Sequence, residues 1–306
     1  MTHGARPVGF IGLGNMGGRM ARRLRDAGVD VLGFDPRAGV AEEIGVRAAT
    51  SSGAVFADAS IVLLSLPDDN VVRSVMTDPA VREELRADHL VIDLSTSAPE
   101  VSQQLATEVA ARGARFLDAG ISGGAAAAEA GTLTIMIGGD AADVQRAEPV
   151  FAPFASRVIH CGPSGAGHTV KLLNNFLNAV TLSATAEVMV AAKKAGLDLA
   201  TVLEVINASS GVSFASQKRF PAIIQGDYLE GGLTNTLMLK DVALYLSMLS
   251  SLGVASLNAP GPVASFGLAR SLGYADRISN TVVDAIGDVS GGIRLHEPTP
   301  SEDGTP

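Results

Sequence analysis

The chain has 306 residues, enough for about two domains at ~150 residues each, and 47 % of them are apolar, so sizeable cores are available. Its formal charge of -9 argues against nucleic acid as a partner, because phosphate binding needs a basic surface, but a few local cations suffice for a small anion. Cys161 is the single cysteine and the five histidines are scattered, so no disulfide framework and no metal site is expected. Cys161 itself reads as a small buried apolar residue.

In chain order, "PVGFIGLG" reads as a strand, 15–27 as a helix and "VDVLGFD" as a second strand. Further strands are expected over 60–67, 89–95 and 114–120, with helical segments between them, notably 98–112. "TLTIMIGG" and "SRVIHCG" read as closing strands. These nearly continuous apolar runs suit strands covered on both faces, and their alternation with helices implies a doubly wound α/β sheet. After about residue 163 the strand signals stop. One helix is expected over 166–195, roughly 45 Å long at 1.5 Å per residue. Others follow over 198–208, 215–225, 236–252, 260–272 and 278–287.

The expected organisation is a domain over 1–164, an all-helical domain over 165–290 and a polar, Pro-rich, disordered tail over 291–306. The N-terminus lacks the layout of a signal peptide, and "NAPGP" breaks the longest uncharged stretch, 242–269. No membrane span is expected, and the default reading is a soluble cytoplasmic protein.

"GFIGLGNMGGRMARRL" holds Gly12-x-Gly14-x-x-Gly17 between a strand and a helix. Gly12 permits a sharp turn, Gly14 leaves space for a pyrophosphate, and Gly17 lets the helix pack closely on the strand. The helix start then offers N–H groups and partial positive charge to phosphates. The loop Gly12, Leu13, Gly14, Asn15 and Met16 is therefore expected to bind a dinucleotide. Asp35 closes the second strand, where an acid accepts hydrogen bonds from ribose hydroxyls and repels a 2′-phosphate, which favours NAD. Arg37 is a nearby cation able to take that phosphate, so NADP remains open. Leu66, Pro67 and Thr96 end two later strands and are placed to line the nicotinamide side, Thr96 doubling as a helix cap.

Ser122, Gly123 and Gly124 follow a strand, and their backbone N–H groups suit a carboxylate, or form an ordinary glycine turn. In "KLLNN", Lys171 and Asn175 are four apart and share a helix face with Asn178. Such a face needs partners if buried, and is otherwise a solvent-facing lysine with its amides.

Four motifs in order, "GFIGLGNMG", "DAGISGG…GTLTIMIGG", "GAGHTVKLLNN" and "LMLKDVAL", resemble the β-hydroxyacid dehydrogenase family, from about Val8 to Ile286. The family includes 3-hydroxyisobutyrate dehydrogenase and tartronate semialdehyde reductase. The resemblance implies a Rossmann-type doubly wound parallel sheet followed by an all-α C-terminal domain, joined by a long interdomain helix. It implies hydride transfer between NAD, or NADP, and a small 3-hydroxy acid or its semialdehyde. Lys171 would exchange the proton with the substrate oxygen, Asn175 would orient the substrate, and Ser122, Gly123 and Gly124 would bind its carboxylate. Lys240, with Asp241 beside it, would lie near the nicotinamide, and a homodimer or homotetramer is implied.

Departures from the family pattern fall on pocket-shaping positions. Gly120 and Ile121 replace the usual Pro and Val or Ala, an aromatic is missing upstream of "LMLKD", and Val212-Ser213-Phe214 replaces another pair. The substrate expected first is 3-hydroxyisobutyrate, then tartronate semialdehyde. Imine reductases resemble the first half but generally lack a lysine at the position of Lys171. A longer 6-phosphogluconate-type enzyme would need a sugar-phosphate site that the sequence does not show. A non-catalytic dinucleotide-binding module would not require Lys171 and Asn175.

Overall fold

The computed structural model describes residues 6–229 and 231–296. It divides into two compact units, one ending at Leu172 and the other starting at Leu173. The first unit holds a sheet of eight strands: β1 (Val8–Ile11), β2 (Val31–Phe34), β3 (Arg47–Ala48), β4 (Ile61–Leu64), β5 (Leu90–Asp93), β6 (Arg115–Ser122), β7 (Leu133–Gly138) and β8 (Ala155–Gly162). Their order is β3-β2-β1-β4-β5-β6-β7-β8. Strand order reverses at β1, which lies between β2 and β4.

Alternation along each strand builds two cores. Val62 and Leu64 join Ile11, Val91 and Phe116 on one face. Leu63 joins Phe10, Leu90, Ile92 and Leu117 on the other. Period-two side chains, both sets buried, account for the uninterrupted apolar runs in the sequence.

The sheet is parallel, as expected, at every pair but one: β7 runs antiparallel to β6. The connection from Gly123 to Thr132 carries only the short helix Gly124–Ala130, and a parallel return needs a dozen or more residues. The two-residue strand β3 was not expected from the sequence. Cys161, expected to be buried, is half-buried on β8.

The long helix spans Ala166–Lys194. Its first turns belong to the sheet unit, so the division falls inside the helix rather than before it. The second unit packs Leu182, Met189, Leu203, Phe220, Met238, Val242, Phe266 and Val282 into one helical core. The helix expected over 215–225 is a widened turn, Ala215–Arg219, followed by Phe220–Ile223. Pro221 has no N–H to give an unbroken ladder, which accounts for the change of pitch. The helix expected over 260–272 runs Pro260–Ala269 and then widens through Arg270–Tyr274, where Gly273 has φ 89°. The last helix, Val282–Val289, is preceded by a tighter turn, Ser279–Thr281.

The tail expected to be disordered from 291 is ordered over 291–296. Leu295 is buried in the helical core. Arg294 pairs with Asp288, and Tyr228 donates to Asp284 at 2.8 Å and lies 3.1 Å from His296 Nε2. Residues 297–306 lie outside the described residues.

Candidate active site

In the first unit the expected residues gather beyond the carboxyl ends of the strands. Gly12 to Met16 follow β1 and open the helix Asn15–Asp26. Gly12 has φ 90°, and a side chain there would strike the Ser65 carbonyl. A Cβ on Gly17 would run into the Gly12 carbonyl, while one on Gly14 would meet nothing nearer than an Arg37 nitrogen at 3.9 Å. The helix has no side-chain cap and no acid in its first turn. A tight loop, an open approach at Gly14 and an uncapped positive helix end fit a dinucleotide phosphate.

Leu13 contributes through its backbone, because its side chain is buried in the core. Its N–H donates to Asp35 Oδ2 at 2.9 Å. Arg37 also donates to Asp35, through Nε at 2.8 Å, Nη2 at 3.1 Å and its backbone N–H at 3.1 Å. The Arg37 side chain holds the Asp35 carboxyl below the usual carboxylate range, although burial opposes this. The cation flagged in the sequence therefore sits directly on the proposed ribose acceptor.

Leu66 and Pro67 follow β4, and Thr96 follows β5. The two loops are tied together, since the Leu66 N–H donates to Ser95 Oγ at 2.9 Å. Buried Asp93 holds the second loop, accepting from Ser95 N–H at 3.0 Å and Ser97 Oγ at 2.9 Å. Thr96 is not the cap of the next helix, which starts at Pro99 with Ala98 at the capping position and no side-chain cap.

Ser122 ends β6, and Gly123 and Gly124 turn the chain with φ of 130° and 71°. A side chain at Gly124 would meet nothing within 4 Å, so the turn is open on that side. Lys171 is 9 % exposed, which excludes the alternative of a solvent-facing lysine. Its Cβ packs against Gly120 of β6, two residues before Ser122. The phosphate loop, Asp35, the Ser122–Gly124 turn and Lys171 thus lie in one unit.

In the second unit Asn175 is buried and donates through Nδ2 to buried Asp241 Oδ2 at 2.6 Å. Lys240 Nζ lies 3.3 Å from Asp241 Oδ1. Asn178 is half-buried. Residue-level reasoning missed Asp93 and Asp118, although Asp93 closes one apolar strand and Asp118 lies within another, and a buried carboxylate at such a place must find donors. Among the described residues no group of three or more His, Cys, Asp or Glu is arranged to hold a metal ion, and no helix is long and apolar enough to cross a membrane.

Comparison with known proteins agrees with this geometry. Residues 7–162 match the NAD binding domain of 6-phosphogluconate dehydrogenase, and residues 165–275 match the NAD-binding domain of NADP-dependent 3-hydroxyisobutyrate dehydrogenase. The chain is 37 % identical to 2-(hydroxymethyl)glutarate dehydrogenase of Eubacterium barkeri, over 78 % of this chain and 81 % of that one. It is 36 % identical to mitochondrial 3-hydroxyisobutyrate dehydrogenase of Mus musculus, over 78 % and 74 %. The structure of Mycobacterium tuberculosis 3-hydroxyisobutyrate dehydrogenase with L-serine superposes with a TM-score of 0.82 at 32 % identity, covering 92 % of this chain and 98 % of that one. With a nucleotide-binding sheet, a helical second unit and relatives of this kind over most of its length, the chain belongs to the β-hydroxyacid dehydrogenase family and is an NAD(P)-dependent oxidoreductase of hydroxy acids.

Proposed function

We propose that the chain interconverts a 3-hydroxy acid of the form HOCH2–CHR–COO⁻ and its semialdehyde, with Lys171 as the proton carrier. The observation that carries this reading is the burial of Lys171 with its stem against β6, the strand that ends in the Ser122–Gly124 turn. Bound NAD(P) supplies the hydride acceptor or donor. Lys171 takes the hydroxyl proton during oxidation and returns one to the carbonyl oxygen during reduction. Ser122 and the backbone of Gly123 and Gly124 hold the carboxylate.

The names of the relatives support the substrate frame. 3-Hydroxyisobutyrate and 2-(hydroxymethyl)glutarate both carry a CH2OH group on the carbon next to a carboxylate and differ in R. L-serine, bound in the mycobacterial structure, has the same frame. Tartronate semialdehyde corresponds to R = OH. Asp35 favours NAD. For the second unit we propose that Asn175, its amide oriented by Asp241, serves the substrate and that Lys240 serves the nicotinamide. Val188, Leu197 and Val205 are exposed apolar residues of this unit and support self-association as a dimer or tetramer.

The test is a panel of 2-substituted 3-hydroxypropanoates and their semialdehydes with NAD and NADP, followed at 340 nm. Lys171→Met should keep NADH binding and lose turnover by ~10²–10⁴-fold. Near-normal turnover in that variant removes Lys171 from the chemistry, and a panel without any absorbance change defeats the substrate class.

A further inference from the structure

We propose that Asp118 and Gly120, alternate residues of β6, are positioning residues that set where Lys171 stands relative to the Ser122–Gly124 turn. This rests on the reading of Lys171 as the proton carrier. Asp118 is fully buried and uses both carboxylate oxygens on the start of the long helix. Oδ1 accepts the Gly165 N–H at 2.6 Å and Oδ2 accepts the His168 N–H at 2.8 Å. Between them, Gly167 lies so close to the strands that a Cβ would strike the Asp118 and Met136 carbonyls. The His168 ring adds a second tether, its Nδ1 lying 2.7 Å from Ser102 Oγ.

From that anchor Lys171 is three residues along the helix, ~4.5 Å in rise. There it meets Gly120, where a Cβ would stand 2.5 Å from Lys171 Cβ and 2.9 Å from Cγ. Residues i, i+2 and i+4 of a strand share one face, with ~6.6 Å between alternate residues. Asp118, Gly120 and Ser122 therefore act along one line as anchor, gap and carboxylate cradle. The line fixes the span from proton carrier to carboxylate, and so the separation of hydroxyl and carboxylate that a substrate must have.

A side chain at Gly120 must push the Lys171 stem away by about 1 Å to reach ordinary contact, and a misplacement of that size can cost up to ~10²-fold in rate. The experiment measures kcat, KM for the hydroxy acid and Kd for NADH in Gly120→Ala and Asp118→Asn, each alone and combined with Lys171→Met. Each single variant should lower kcat by about 10- to 100-fold while Kd for NADH stays within about threefold. In the Lys171→Met background the same changes should alter the residual turnover by less than about threefold, because the group they position is gone.

Equal losses in both backgrounds, or a Gly120→Ala enzyme within about threefold of the parent while Lys171→Met is crippled, would overturn the positioning role. Near-normal turnover in Lys171→Met alone would instead overturn the reading of Lys171, and the proposal with it. Should Asp118→Asn fail to fold, Gly120→Ala decides.

Discussion

The ion pair between Asp35 and Arg37 should govern the choice between NAD and NADP. Arg37 is 62 % exposed in its side chain, so the pair contributes only ~0–1 kcal/mol to folding. Arg37→Ala should therefore shift Tm by no more than about 4 °C. Its effect on cofactor choice should be larger. With Arg37 gone, a 2′-phosphate about 4 Å from the bare carboxylate is repelled by roughly 1–4 kcal/mol per unit charge at surface dielectric values. NADP affinity should fall at least ~5-fold, while NAD affinity holds or improves. Asp35→Asn should do the reverse. It loses charged acceptors for the ribose hydroxyls, about 1.5–3 kcal/mol, or roughly 10- to 150-fold in NAD affinity. The chain has no Trp, so the assay follows the emission of NADH and NADPH themselves on titration with each protein. An NADP-to-NAD affinity ratio unchanged within twofold in both variants would refute the reasoning.

The same pair predicts a pH signature and three further substitutions extend the test to the folds of both units. Asp35 titrates below its usual range because of Arg37. Its contribution to stability is thus present above the unfolded value of ~3.9 and is lost as pH falls through the folded value, so the parent and Arg37→Ala should converge in stability on acidification, as read by denaturant melts. Gly17→Ala drives a methyl into the Gly12 carbonyl and should cost about 1–3 kcal/mol of stability together with cofactor binding, measured by melting and titration. Phe266→Ala empties a fully buried ring site in the helical core and should cost ~3–5 kcal/mol in a urea melt. Leu295→Ala should cost ~2–5 kcal/mol, because Leu295 belongs to that core, and a null effect would show that 291–296 adds nothing to it.

Much of the first unit was legible because each strand buries both faces, which demands unbroken apolar runs such as "IVLL" and "LVID". The phosphate loop was legible because its backbone admits only glycine at Gly12 and Gly17. The antiparallel β7 was not, since an apolar strand buried on both faces reads the same in either direction and only the length of its connection decides. The turns at Ala215–Arg219 and Arg270–Tyr274 escaped for a related reason. Helical periodicity reports which face is apolar, whereas a single Pro or Gly changes the pitch locally. The ordered segment 291–296 was read as tail on composition, although Leu295 among polar residues was the cue that one side chain had a core to enter.

The candidate site followed a sharper rule. Residues whose requirement falls on the backbone left a mark in the sequence, since few residue types satisfy a positive φ or a carbonyl at van der Waals distance. Residues whose requirement falls on a partner were visible only as types. Asp93 and Asp118 stand in register on neighbouring strands, and each turns its carboxylate to the loop or helix that carries a candidate site residue. One holds the segment with Thr96, and the other holds the start of the Lys171 helix. Nothing in the spacing of 93, 96, 118 and 171 announces this, because the sheet register supplies the relation. Gly120 belongs to the second group. Its φ does not demand glycine, so the turn rules pass over it; the demand comes from Lys171, fifty-one positions later, whose stem occupies the place of a Cβ. A glycine in a strand interior without a turn to explain it is thus a pointer to close approach by another segment, and here that segment carries the candidate proton carrier.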